Sequence, residues 1–415
     1  MQDSARIGLP KSILWMGLLS FFLQVAAIGA FRQYRIRTDD DHFGFGWEMG
    51  RVGRALALGQ GFSNPYGDNT GPTAWEPPLY PYLIGAVFML FGIYSQASAW
   101  VLLSINCLFS ALTCIPIFLI ARRTFDDRIA LWSAWTWALL PYAWYWSIHW
   151  VWDTTFTPLL LSLIFLLTLA LEESQECKNW ALFGVLWGVG ALGNPSMLVF
   201  LPFCGLWVWR RRWKRGTKSF AGVVLASAVF FVCLAPWIAR NYAVFGRFVF
   251  LRDDFGFQFR LGNGPGADGM LMAYLQPNLN AKEFDKFRRM GELAYAEDRK
   301  REAFEWVLEH PARFVAISVR RFLCYWAGKS RGPWRFLNLL LLAWSVLSVW
   351  GLWRAVCQKG RGVWLFAGLV FFYPLVYYFV FSHARYRHPI EPELLILAVF
   401  LISEMGKRRA VAKLT

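Results

Sequence analysis

Charge is scarce in this sequence. Only 17% of its 415 residues are charged, while 57% are hydrophobic and 18% aromatic. Soluble domains carry about 25% charged residues, so an ordinary soluble fold is excluded. Paired cysteine motifs are also missing. The seven cysteines (Cys107, Cys114, Cys177, Cys204, Cys233, Cys324 and Cys357) form no CxxC. That rules out a zinc framework, argues against a disulfide framework, and leaves buried apolar thiols as the reading. There is no Walker motif, no GxSxG elbow and no HExxH stretch, so the common phosphate-loop, hydrolase and zinc-protease sites are absent. No internal repeat is visible. What the chain has instead is a series of apolar runs, several longer than the roughly 18 residues that mark a transmembrane helix. The net charge of +16 would suggest nucleic acid in a soluble chain. Here the basic residues gather beside the ends of apolar runs, as cytoplasmic anchors do. The partner is the lipid bilayer, with no nucleic acid expected.

Read in order, these runs predict an all-α polytopic membrane protein of about ten crossings with a small outer layer. The first run, 13–31, is longer than the roughly 7–15-residue core of a cleaved signal peptide, so an uncleaved span is expected. The run 79–91 is short and is expected to tuck into the outer half of the bilayer. Spans are expected at 97–121, 129–148 and 154–171, with Arg122 and Arg123 inside. Asn194-Pro195 interrupts 180–209, because a residue before proline disfavours the helical region. A hairpin, 180–193 out and 196–209 back, keeps Arg210, Arg211 and Arg212 inside. A span at 220–239 releases a second polar segment, and three more follow at 335–356, 362–382 and 389–405. Both termini are then cytoplasmic. The chain divides into 1–239 (including the first outer loop, 32–81), the extramembrane segment 240–333, and the C-terminal helices 334–415.

The loop 32–81 is the longest polar interruption in the first half. It gathers Asp39, Asp40, Asp41, His42, Glu48, Asp68 and Glu76 with five arginines. Loops of such length usually carry a site or are disordered, and Phe43, Phe45, Trp47, Tyr66 and Trp75 argue against disorder. Apolar positions from Trp47 to Leu58 recur at helical spacing before Gly59, Gly61 and Pro65, predicting a short helix along the membrane surface. In 240–333, Asn263-Gly264 and Asp268-Gly269 mark a strand-like, turn-rich start. An amphipathic helix is expected over 281–309 and another over 311–325.

This topology puts His42, His149, His310, His383 and His388 on the outer side with the first-loop acids, Asp153, Arg385 and Arg387. An acid at the top of a span, as Asp153 is, marks either a functional group or a helix N-cap. Outlying arginines either snorkel to lipid phosphates or clamp a bound phosphate, and Tyr386 lies between the two. Acids on two loops and arginines on a third suit transfer from a phosphate-bearing lipid. A carboxylate would deprotonate an acceptor hydroxyl, and the arginines would stabilise the departing phosphate. A hard divalent cation such as Mg or Mn between the acids would do similar work.

Several stretches, in order, carry a resemblance: GWEMGRVGRALALGQGF, GPTAWEPPLYPYL, Asp153 opening a span, ALGNPSMLVFLP, PWIARNYAVFGRFVFLRDDFGFQFRLGN and RYRHPIEPELL. Over nearly its whole length the chain resembles the GT-C superfamily of membrane glycosyltransferases. The likeness is to the bacterial branch related to protein O-mannosyltransferases and the lipid A aminoarabinose transferase. It implies a GT-C-like bundle that transfers a sugar from a polyprenyl-phosphate-linked donor at the periplasmic face of the inner membrane, usually with inversion. The acceptor would be a glycan, lipid or protein. Family members carry a first-loop acid as base, often an adjacent Asp-Glu pair. Here Asp39-Asp40-Asp41 and Glu48 stand instead, and Glu48 ranks first and Asp41 second for that role. The second-loop acid corresponds to Asp153. Glu76 stands where the aminoarabinose transferases have Glu followed by Lys, but Pro77 replaces that Lys. Donor phosphate binding therefore shifts to Arg385, Arg387 and Tyr386. Glu76, His42 and Asp40 are left as metal or substrate contacts. A lipid or glycolipid transporter would show inverted repeats and polar groups near the midplane, and neither is evident. A non-catalytic scaffold of the cell envelope leaves the outer acids and arginines unexplained.

Overall fold

The computed structural model describes residues 11–37, 43–217, 219–329 and 335–412. Asp39, Asp40, Asp41 and His42 lie outside the described residues. Among the described residues all regular structure is helical, apart from one isolated bridge between Ser63 and Pro72.

The body begins with α1 (Lys11–Ala30). The amphipathic helix expected in the first loop is α2 (Glu48–Ala57), and it packs along α3 (Leu79–Phe91). Close approach depends on Gly53, where a Cβ would stand 2.6 Å from the Ile84 side chain. The second expected span is α4 (Gln96–Leu112) continued by α5 (Cys114–Thr124) after a slight break at Thr113. The return run is cut at Leu140, because Pro141 lacks the N–H that would continue α6 (Asp127–Leu139) and instead opens α7 (Pro141–His149). Then come α8 (Phe156–Leu171), α9 (Cys177–Gly193), a 3₁₀ turn at Pro195–Phe200, α10 (Leu201–Lys214) and α11 (Phe220–Phe245). The extramembrane layer holds α12 (Phe255–Gly262), α13 (Ala281–Met290), α14 (Glu292–Glu309) and α15 (Pro311–Ala327). The chain closes with α16 (Phe336–Cys357), α17 (Val363–Phe372), α18 (Leu375–Phe379), a 3₁₀ turn at Ala384–Ile390 and α19 (Glu391–Ala412).

Among the described residues, four stretches are each long and apolar enough to cross a membrane: Lys11–Ala30, Gln96–Thr124, Phe220–Phe245 and Phe336–Cys357. The other expected crossings consist of shorter or interrupted helices. The hairpin at Asn194 is present. Arg212, near the end of α10, donates to the carbonyls of Leu171 at 3.1 Å and Ser174 at 2.7 Å, and covers the Trp180 ring near the start of α9. Ion pairs gather helix ends at this face: Arg123 and Arg361 with Glu173, Arg211 and Arg215 with Glu172, and Lys407 with Asp126. The ends of α7 and α9 and the start of α8 therefore point to the opposite face.

Two expectations for the extramembrane segment are corrected. Its start is not strand-like: residues 255–262 form α12. The alternating Phe257, Phe259 and Leu261 mimic a strand pattern. However, Gly256 brings the segment against α14, where a Cβ would stand 2.3 Å from the Ala296 carbonyl oxygen. The single helix expected over 281–309 is two, divided at Gly291, whose φ of +75° suits glycine and ends α13. The layer's core is aromatic and includes part of the first loop. Trp75 is fully buried, with Phe257 at 5.2 Å, Tyr66 at 5.6 Å and Phe287 at 5.7 Å between ring centres. These edge-on and tilted packings dock the proline-rich exit of the loop onto α12 and α13.

Candidate active site

A cavity of about 480 Å³ lies where the first loop, the α8 start, the 246–254 strap and the Ala384–Ile390 turn meet. Glu48, Glu76, Asp153, Asn194, Arg252, Asp254, Arg385 and Tyr386 are in its wall. Its other side is apolar, formed by residues such as Leu198, Val199, Phe250, Phe255 and Val380.

Glu48 opens α2, where a carboxylate faces the positive end of the helix. Trp47 before it has a φ of 48°, an uncommon conformation for a bulky residue. The turn holding it is pinned to the Asp153 loop by a hydrogen bond from Val151 N to the Gly44 carbonyl at 3.0 Å. Burial pushes the Glu48 carboxyl up, opposed by Arg51, Arg385 and Arg252.

Asp153 stands just before α8 but does not cap it. That helix begins at Phe156, Thr155 is its N-cap residue, and no side chain caps it. The Asp153 carboxylate turns to the cavity and accepts from Asn194 Nδ2 at 2.9 Å. Burial pushes its carboxyl up, while Arg385, Arg252 and the Asn194 bond pull it down.

Glu76 faces Arg252 at 3.5 Å, and the same guanidinium holds Asp254 at 2.5 Å and donates to the Trp75 carbonyl at 2.7 Å. One cation between two buried carboxyls is incomplete compensation. Burial, reinforced by Glu48, Asp254 and Asp153, pushes Glu76 up to about 8 against the pull of Arg252. Burial thus favours the protonated form of Glu76, which can donate a hydrogen bond.

The two outlying arginines part company. Arg385 enters the cavity, its guanidinium 3.9 Å from the centre of the Trp152 ring and 5.4 Å from that of the Tyr386 ring. It forms no ion pair within 4.0 Å among the described residues. Arg387 does not reach the cavity. It is 1% exposed, pairs with Glu391 at 2.7 Å, and donates to Ser345 Oγ at 2.6 Å and the Trp326 carbonyl at 3.2 Å. The reason is the 3₁₀ turn, where residues two apart project about 240° apart. Of the three residues expected to clamp a phosphate, Arg385 and Tyr386 line the cavity and Arg387 does not. His383 also lines the cavity, and burial, with Arg385 and Lys329, pulls it down to about 3, so it is neutral.

Sequence reasoning missed Arg252, Asp254 and Asn194. The mixed-charge triplet Arg252-Asp253-Asp254 directly after an apolar strap was the available signal, and Asn194 was read only as a helix break. Of the residues expected to contact a cation or the substrate, Glu76 lines the cavity, and Asp40 and His42 lie outside the described residues. Among the described residues no three His, Cys, Asp or Glu side chains cluster as metal ligands. The cavity acids are interleaved with Arg252 and Arg385.

Residues 75–239 match the model of a family described as dolichyl-phosphate-mannose-protein mannosyltransferase. The whole fold is similar to a crystal structure of the Archaeoglobus fulgidus oligosaccharyltransferase in the apo form. The TM-score is 0.52 at 12% identity, covering 97% of this chain and 51% of that one. The protein has the GT-C fold. A structure of ArnT from Cupriavidus metallidurans in the apo state is also similar, with a TM-score of 0.49, 15% identity, and coverage of 96% of this chain and 62% of that one. The chain spans about half the length of the oligosaccharyltransferase chain it matches. No curated protein matches its sequence. The family match includes Glu76, Asp153 and Asn194, and leaves out Glu48, Arg252 and Arg385.

Proposed function

We propose that this protein is a membrane glycosyltransferase that moves a sugar from a polyprenyl-phosphate-linked donor to an acceptor hydroxyl, with inversion, at the periplasmic face of a bacterial inner membrane. The observation that carries the reading is the convergence of Glu48 and Asp153 with Arg385 in one cavity of a GT-C fold. In support, the matched family is described by its dolichyl-phosphate-mannose donor. The basic helix ends lie on the face away from the cavity, which fits a cytoplasmic placement of that face and of both termini.

In the scheme, Glu48 is the base. Its raised affinity for a proton suits it to take the acceptor hydroxyl proton as the oxygen attacks the sugar C1. The C1–O bond to phosphate breaks, and the electron pair leaves on the polyprenyl phosphate. Arg385, with no competing carboxylate in contact among the described residues, receives that charge together with the Tyr386 hydroxyl. Asp153, in the same cavity as Glu48, accepts hydrogen bonds from the sugar or the acceptor. Glu76, in its protonated form, donates one. The apolar wall is suited to the first isoprene units of the carrier.

The test is binding of undecaprenyl phosphate to the purified full chain in detergent, repeated with Arg385→Ala. Micromolar binding weakened by about 2 kcal/mol or more supports a charge-assisted phosphate contact. Absence of binding by the wild-type protein sinks the reading.

A further inference from the structure

Asn194 ends α9, and Pro195 prevents the helix from continuing. Its amide is oriented by chemistry, not by choice. The Asn194 Oδ1 accepts from Ser196 N at 3.2 Å and from Ser196 Oγ at 2.5 Å, so the NH₂ end must point the other way. That end donates to Asp153 Oδ2 at 2.9 Å and lies 3.4 Å from Thr157 Oγ1.

The bonds continue behind Ser196. Because its hydroxyl proton goes to Asn194, its oxygen accepts from Tyr377 Oη at 2.8 Å. The Tyr377 oxygen in turn accepts from Tyr373 Oη at 3.3 Å. Every donor in this row points toward Asp153, and hydrogen bonds so aligned polarise one another. The row also reaches the other side of the cavity, because the Tyr377 ring stacks on Tyr386 at 4.4 Å and 16°.

We infer that Asn194 is a positioning residue: backed by Ser196 and Tyr377, its amide holds Asp153 as a carboxylate with one oxygen fixed and the other turned to the substrates. The inference rests on the glycosyl-transfer reading for the role of Asp153, but its geometry does not. The break in the α9–α10 hairpin thus has a purpose beyond turning the chain: a continuous helix would carry no side chain in this two-way orientation.

The test reads Asp153 directly, without ligand. Infrared titration of the carboxyl stretch in the full chain in detergent, with Asp153→Asn as the reference, gives its protonation midpoint. Arg385 and Arg252 face Asp153 with Glu76 and the hydroxyls of Tyr80, Tyr377 and Tyr386, so all of these stay unaltered in the first variants. Asn194→Leu is expected to raise the midpoint by about one pH unit or more, the size of a lost hydrogen bond to a charged group. Ser196→Ala is expected to raise it less, and Ser196→Thr, which keeps the hydroxyl, to leave it at the wild-type value. If Asn194→Leu does not fold, Ser196→Ala and Tyr377→Phe carry the test. An unchanged midpoint in Asn194→Leu, or in both of the latter, overturns the inference. Failure of the transfer reading shows separately, as wild-type protein that binds no undecaprenyl phosphate, and leaves the titration to decide the role of Asn194.

Discussion

The guanidinium of Arg385 lies 3.9 Å from the centre of the Trp152 ring, beside the residue that precedes Asp153. Stacking on an indole holds the cation in place without neutralising it. The charge therefore remains available to an anion in the cavity, at a distance where it also favours the ionised form of Asp153.

The two arginines of RYRHP should separate experimentally. Arg385→Ala is expected to weaken undecaprenyl phosphate binding by about 2 kcal/mol with little change in thermal stability. Arg387→Ala is expected to leave Glu391 buried without its cation. Losing one partner of a buried pair costs about 3–5 kcal/mol, so poor yield or a much lower melting temperature should follow. Equal effects of both substitutions on lipid binding would return Arg387 to the phosphate site.

Glu48→Gln and Asp153→Asn should each abolish sugar transfer, with folded protein still present in membranes. Both substitutions keep size and remove a charge that burial disfavours, so stability should hold or rise. Transfer at wild-type rates in either variant removes that residue from the mechanism.

Much of this site was legible in the sequence, and the failures have physical causes. Glu48, Glu76, Asp153 and Arg385 were each visible as ionisable groups on the outer side of apolar spans. The hairpin at Asn194-Pro195 followed from the cost of leaving Arg210, Arg211 and Arg212 outside. Arg387 was misplaced because sequence proximity to Arg385 says nothing about a 3₁₀ turn that sends the two side chains apart. Arg252 and Asp254 were missed because their place depends on the aromatic docking of Trp75 and Phe257, a contact between distant parts of the chain. The α12 helix was hidden by an alternating pattern that tertiary packing at Gly256 overrides.

Arg252 bridges two carboxyls, so its loss should be worse than the loss of either acid. Arg252→Met is expected to lower the melting temperature sharply at pH 8, because Asp254 and Glu76 would lose the cation that offsets their burial. Adding Glu76→Gln should recover part of that loss. A double variant no more stable than Arg252→Met alone would mean that Glu76 contributes no charge at this pH.

Behind the cavity, Asp253 and Glu292 form a second buried carboxyl pair that ties the strap to the first loop. Glu292 accepts from the Thr73 hydroxyl and, at 2.5 Å, from Ala74 N, and it is close enough to Asp253 for that carboxyl to raise its affinity for a proton. Burial and the neighbouring Asp254 push Asp253 up to about 7, and burial with Asp253 pushes Glu292 well up. The folded chain thus keeps protons that the unfolded chain releases near pH 4. Stability from this pair is full below that value and is lost as pH rises toward about 7, where Asp253 titrates in the folded chain. Asp253→Asn keeps a hydrogen-bond donor beside Glu292 at every pH. Its melting temperature should fall less than that of the wild type between pH 5.5 and pH 8, and it should be the more stable protein at pH 8. Parallel pH dependence in the two proteins would show that Asp253 titrates as an ordinary exposed acid and that the pair shares no proton.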